Sequence, residues 1–133
     1  MISGFLGEED AILFEIELIT IDGWKLPVDA TLDTGFSHWL AMNEQDVEGL
    51  GWERVREQVM RTARGDCRFD IYIGKVEFDG QEFDLPVHVG RDLPEVLLGR
   101  KWLRDRRLVI DFRAGELSLG DRLGDNFQIM STF

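Results

Sequence analysis

Apolar and polar residues alternate with a period of two through much of the chain, as on strands that bury one face. Ile12, Phe14, Ile16 and Leu18 alternate with Leu13, Glu15, Glu17 and Ile19. Asp22-Gly23 supplies a hairpin turn. Trp24 to Leu32 reads as the returning strand, and Pro27, which has no N–H to donate, marks an edge or irregular position on it. His38-Trp39-Leu40-Ala41-Met42 predicts a short apolar strand. Asn43 can cap a short helix over Glu44 to Leu50, with acidic residues in its first turn and with Gly49 and Gly51 limiting its length.

The second half continues in the same way. Glu57 to Thr62 and Cys67 to Phe78 read as two arms of a long hairpin with Ala63-Arg64-Gly65-Asp66 at its tip. After an Asp79-Gly80 turn, Phe83, Leu85, Val87 and Val89 alternate with Glu82, Asp84, Pro86 and His88. Val96-Leu97-Leu98 is a short continuous apolar run, expected of a strand buried on both faces. Gly99 follows, then a short helix over Arg100 to Asp105. Leu108, Ile110 and Phe112 form a strand, and Arg113-Ala114-Gly115 turns the chain into Leu117 and Leu119. The tail from Asp125 to Phe133 lacks a turn signal and reads as a terminal strand. The predicted fold is mostly β with two short helices, closed or sandwich-like, without repeats or linkers, so residues 1–133 form one domain.

Composition narrows the function classes. The 133 residues suit one domain, and 44% hydrophobic content is enough for a core. A net charge of -11 argues against nucleic acid and against anionic membranes as partners, since both call for a basic footprint. The single cysteine, Cys67, allows no intrachain disulfide. That fits a reducing, cytoplasmic compartment. The first ten residues lack the positive n-region of a signal peptide, and no apolar run approaches the ~20 residues of a membrane helix. A soluble cytoplasmic protein is the expectation.

The candidate chemistry lies in Thr31-Leu32-Asp33-Thr34-Gly35-Phe36-Ser37, where an acid followed at once by Thr-Gly ends a predicted strand. The tripeptide alone reads as an ordinary strand-ending turn. Its context adds Val96-Leu97-Leu98-Gly99-Arg100 downstream, a hydrophobic run, a glycine and a helix, together with Leu108-Val109-Ile110-Asp111-Phe112. Taken in order, these elements resemble the retropepsin-like (retroviral-type, single-lobed) aspartic proteases, and in particular bacterial members, over roughly Ile12 to Leu119.

The resemblance implies a closed acid-protease-like β-barrel and an endopeptidase. Asp33 would supply one carboxylate, the Thr34 hydroxyl would interlock with its counterpart, and Gly35 would let substrate approach the backbone. Asp-Thr-Gly occurs once, and the mechanism needs two carboxylates sharing a proton around a bridging water. The implied enzyme is therefore a homodimer acting on an extended peptide or protein. Leu97, Leu98, Gly99 and Arg100 would support the catalytic loop. Phe36, Ser37 and a flap formed by Arg64, Gly65 and Asp66 would contact substrate, although the hairpin tip reads equally well as a plain solvated turn. Phe36 stands where the better-known enzymes carry Ala or Ser. Ser37 stands where viral members often carry an acid that pairs with the arginine after the hydrophobic-Gly element, so Arg100 needs another partner. Family members often weave their ends into the dimer, which makes Phe127, Ile129, Met130 and Phe133 interface candidates.

Other readings carry less. His38, His88 and Cys67 lack metal-ligand spacing and read as surface or strand positions, so no metal or cofactor is expected. Arg100, Lys101, Arg104, Arg106 and Arg107 read as a solvated face rather than a nucleic-acid patch. Trp24, Trp39, Trp52 and Trp102 serve a core or an interface. The alternative to the enzyme is a catalytically silent barrel of the same fold that binds a peptide or protein.

Overall fold

The computed structural model describes residues 1–121, Asp121 by its backbone alone. The expected terminal strand over Asp125 to Phe133 and its four interface candidates lie outside the described residues. Short strands β1 (Ile2–Ser3) and β2 (Phe5–Leu6) lead into β3 (Ile12–Ile19) and β4 (Lys25–Leu32), the hairpin that the alternation predicts. Phe14, Ile16 and Leu18 point inward and are at most 3% exposed. Gly23 turns the hairpin at φ +91, a left-handed conformation that costs glycine little. Pro27 pairs with Glu17 on one side only, because β4 meets its other neighbour at Ala30–Leu32. Its missing N–H thus falls on an open edge.

β5 (Leu40–Asn43) is followed by a single helical turn, α1 (Glu44–Val47). The Asn43 side chain caps this turn by accepting the Gln45 N–H at 3.1 Å. The helix stops short of the expected Leu50: Glu48 is already extended, and Gly49 takes φ +83. The long hairpin consists of β6 (Glu53–Thr62), which starts earlier than predicted, and β7 (Gly65–Phe78), followed by β8 (Gln81–Gly90) and β9 (Val96–Leu98). The helix expected over Arg100 to Asp105 is instead a 3-10 turn over Arg100–Leu103. Its bonds run from the Trp102 N–H to the Gly99 carbonyl and from the Arg104 N–H to the Lys101 carbonyl. Asp105 at φ +57 ends it. β10 (Arg106–Asp111) and β11 (Glu116–Asp121) complete the chain. Phe112 falls outside β10 and is exposed.

Two sheets result. One has the order β1-β11-β10; the other runs β2-β3-β4-β9-β5-β8-β7-β6. A further pairing of β3 with β7, Leu18 opposite Val76, joins the larger sheet to itself. The strands β3, β4, β9, β5, β8 and β7 thus make a closed ring, which removes most open edges. Inside it Phe14 meets Phe78 edge to face at 6.3 Å, and Phe78 meets Trp102 at 4.6 Å. Burying each phenyl ring contributes about 2–3 kcal/mol. Leu117 and Leu119 reach the same core from the smaller sheet. Of the tryptophans, Trp102 is core, Trp39 and Trp52 pack against it half-buried, and Trp24 is exposed. No helix among the described residues is long and apolar enough to cross a membrane.

Candidate active site

β9 is three residues long and lies between β4, parallel to it, and β5, antiparallel. That placement brings the Asp33 loop and the Leu98-Gly99-Arg100 segment into direct contact. The Asp33 N–H donates to the Leu98 carbonyl at 2.9 Å and extends the ladder one residue past β4. The Asp33 carboxylate accepts the Gly35 N–H at 2.9 Å through Oδ1. The Phe36 N–H closes the turn onto the Asp33 carbonyl at 3.1 Å. Asp33 is half-buried, and Thr34 and Gly35 are exposed. One carboxylate oxygen is therefore committed to orientation. The other, Oδ2, takes part in none of these bonds.

The supporting segment holds this loop from behind. The Arg100 N–H donates to the Phe36 carbonyl at 2.7 Å, and its guanidinium donates through Nη1 to the Thr34 carbonyl at 3.0 Å. Arg100 thus takes a backbone carbonyl of the loop as its partner, and Ser37 stays exposed. Trp39 offers one carbonyl to two donors, the Gly99 N–H at 2.9 Å and the Trp102 indole N–H at 2.7 Å. A Cβ on Gly99 would run into the carbonyl of His38. Of the expected site residues, Asp33, Thr34, Gly35, Phe36, Leu98, Gly99 and Arg100 form one connected unit, and Leu97 sits in register between Thr31 and Ala41.

The hairpin residues stand apart from that unit. Arg64 lines a groove of about 820 Å³ with Thr62, Cys67 and Phe69 on one side and Val89, Leu93 and Pro94 on the other. Ion pairs Arg91–Glu44 and Arg68–Glu57, both 3.6 Å, join residues of the groove wall. Gly65, at φ +98, and Asp66, paired with exposed Arg61 at 3.6 Å, do not line the groove. Asp33 does not line it either.

What joins the loop to the groove is a group of rings. His38 and His88 stack with centroids 4.3 Å apart and planes 22° apart. Phe36 meets both edge to face, at 5.6 and 5.5 Å, and Phe69 of the groove wall meets His88 at 6.1 Å. His88 is 2% exposed, and neither ring nitrogen has a protein hydrogen-bond partner. It shares the face of β8 that carries Glu82 and Asp84, the outward one by alternation, but Phe36, His38 and Phe69 cover that face at His88. Periodicity along one strand cannot reveal such a cover, and the reading of His88 as an ordinary strand position missed its place beside the loop. Among the described residues no three His, Cys, Asp or Glu side chains converge on a metal-holding point.

Burial, then the neighbouring His38, Arg56 and Lys101, push the His88 midpoint down to about 4. Burial, then Lys101, also lowers that of His38. Between pH 6.5 and about 4 the unfolded chain carries a proton at position 88 that the folded chain refuses. The stabilisation is complete above pH 6.5 and is lost as pH falls, reaching about 3 kcal/mol of loss near pH 4. Urea denaturation at pH 7 and pH 4.5 checks this. His88→Phe should flatten the difference between the two pH values, and an equal difference in the variant would assign the acid sensitivity elsewhere.

No family model and no curated protein matches the sequence. Solved structures do match the fold. EIAV protease complexed with the inhibitor HBY-793 superposes with a TM-score of 0.60 at 19% identity, covering 78% of this chain and 97% of that one. A retropepsin-like aspartic protease from Rickettsia conorii superposes with a TM-score of 0.60 at 25% identity, covering 89% of this chain and 88% of that one. The closed, mostly β architecture is thus that of retropepsin-like proteases.

Proposed function

We propose that this chain is one half of an aspartic endopeptidase, a homodimer in which two Asp33 carboxylates share a proton around a water. The observation that carries the reading is the presentation of Asp33. Its backbone is held by Leu98, one carboxylate oxygen is held by Gly35, and the loop is clamped by Arg100 on a retropepsin-like fold. In the dyad, the ionised carboxylate takes a proton from the water as it attacks the peptide carbon. The protonated one donates to the carbonyl oxygen; the first, now carrying the water's proton, gives it to the nitrogen as the C–N bond breaks and the amine leaves.

A single chain supplies one such carboxylate. The exposure of Thr34 and Gly35 supports a loop that meets a partner copy. The groove beneath Arg64 and beside Phe69 suits an extended peptide, with the hairpin as a cover. The reaction requires no metal or organic cofactor.

Assembly makes the test direct. Specific activity on a peptide library at mildly acidic to neutral pH rises with protein concentration and saturates as dimer forms. Sedimentation equilibrium over the same concentrations gives the dimer fraction to compare. Monomer at every concentration overturns the enzyme reading. A folded dimer that cleaves nothing from pH 4 to 8 identifies the alternative, a silent barrel that binds a peptide or protein.

A further inference from the structure

We propose that His88 is a positioning residue for the Asp33 loop: as a neutral ring it seats Phe36, and as a charged ring it unseats Phe36 and the loop with it. This rests on the reading of Asp33 as catalytic, but its physical content, a coupling between an imidazole and a loop, stands on geometry alone.

Phe36 is three residues beyond Asp33 and is bonded at both backbone ends. Its N–H closes the turn on the Asp33 carbonyl at 3.1 Å, and its carbonyl accepts the Arg100 N–H at 2.7 Å. Its ring rests on His88 at 5.5 Å, nearly perpendicular at 83°. A displacement of that ring therefore pulls directly on the turn that carries the carboxylate.

His88 is itself tightly confined. It is the one polar or charged residue buried among the described residues. Phe36 and His38 pack on it from the loop before β5, and Phe69 packs on it from β7. The charged groups facing it are Arg56 from β6 and Lys101 from the 3-10 turn, and His38 adds a second imidazole. A proton there meets two cations, lacks a hydrogen-bond acceptor and lies away from water. Contact with the phenyl rings of Phe36 and Phe69 offsets only part of that cost. Protonation therefore drives the ring out from under Phe36. Neutral His88 also contributes no hydrogen bond that a phenyl ring would lose, so His88→Phe preserves the seat and removes the titration.

The deciding measurement is an NMR titration from pH 7 to pH 3 in the Asp33→Asn background, which takes the loop's own carboxylate out of the titration. The Gly35 and Phe36 amides should shift with the same midpoint as the His88 imidazole, while Ile110 in the smaller sheet stays still. The movement should vanish in Asp33→Asn/His88→Phe, with His88→Gln as a second non-titrating variant. Amides that stay flat through the His88 transition, or that move unchanged in both variants, overturn the proposal whether or not the protein cleaves anything. With Asp33 intact, His88→Ala should lower kcat by roughly tenfold or more with KM nearly unchanged, because it misplaces the carboxylate and leaves the groove in place. His88→Phe should restore kcat at pH 7 and extend it to lower pH. A His88→Ala effect confined to KM would place His88 in the substrate groove and overturn the positioning role. Absence of all cleavage together with a loop that follows His88 would sink the enzyme reading and leave the coupling standing.

Discussion

Asp33→Asn should abolish peptide cleavage, lowering kcat/KM by about 10³-fold or more, while melting temperature and dimer fraction should stay near those of the parent. The size follows from the proposed dyad: the substitution would remove both carboxylates at once, and with them both the base that activates water and the acid that polarises the carbonyl. The unchanged fold follows from the loop. Asn keeps an Oδ1 that can accept the Gly35 N–H, now made at 2.9 Å, and leaves the backbone bond from position 33 to Leu98 untouched. A mixed dimer of parent and variant chains should also be inactive, so adding the variant to the parent suppresses activity in proportion to chain exchange. Cleavage that survives in the pure variant points to a contaminating protease.

Gly99→Ala breaks the fold rather than the chemistry, with an expected loss of about 3 kcal/mol or more. Gly99 sits at φ -86 and ψ 173, where any residue is at ease, so backbone freedom is not the reason. Space is the reason. A Cβ there meets the carbonyl of His38 and lies 2.9 Å from the Phe36 ring. Neither neighbour can yield cheaply. The Trp39 carbonyl next to His38 holds both Gly99 and Trp102, and Phe36 is bonded to Asp33 and Arg100. Something must move, and whatever moves carries the Asp33 loop. The urea midpoint measures the effect, and a midpoint near that of the parent would mean that β9 and the loop are not packed as described.

The two substitutions divide the site into what its atoms do and what holds them. The single Asp-Thr-Gly was visible at once, and so was the Gly99 element. The bonds between them were not. The predicted partner problem of Arg100 came from comparing side chains, whereas its partner is the Thr34 backbone carbonyl. Sequence patterns show side-chain types and are blind to which carbonyl a fold leaves free. The helix expected after Gly99 had sound local propensity and became a 3-10 turn over Arg100–Leu103, ended by Asp105 at φ +57.

The sequence by itself determined the strands, the main turns and the candidate carboxylate. Alternation of Phe14, Ile16 and Leu18, and of Leu85, Val87 and Val89, is local information, since one strand needs only one buried face to register it. Asp-Gly turns and an acid before Thr-Gly are local as well. The tertiary structure alone decided the rest. It joined β3 to β7 and so closed the ring. It placed β9 between β4 and β5, so that Leu98 and Arg100 grip the Asp33 loop. It also laid Phe36, His38 and Phe69 over His88 on the polar face of β8, which turned His88 from a solvent position into a buried neighbour of the catalytic candidate. Phe36 is 52 positions from His88 along the chain, and Asp33 is 65 from Leu98. A period of two along one strand records which face is apolar, but not what another part of the chain lays over it.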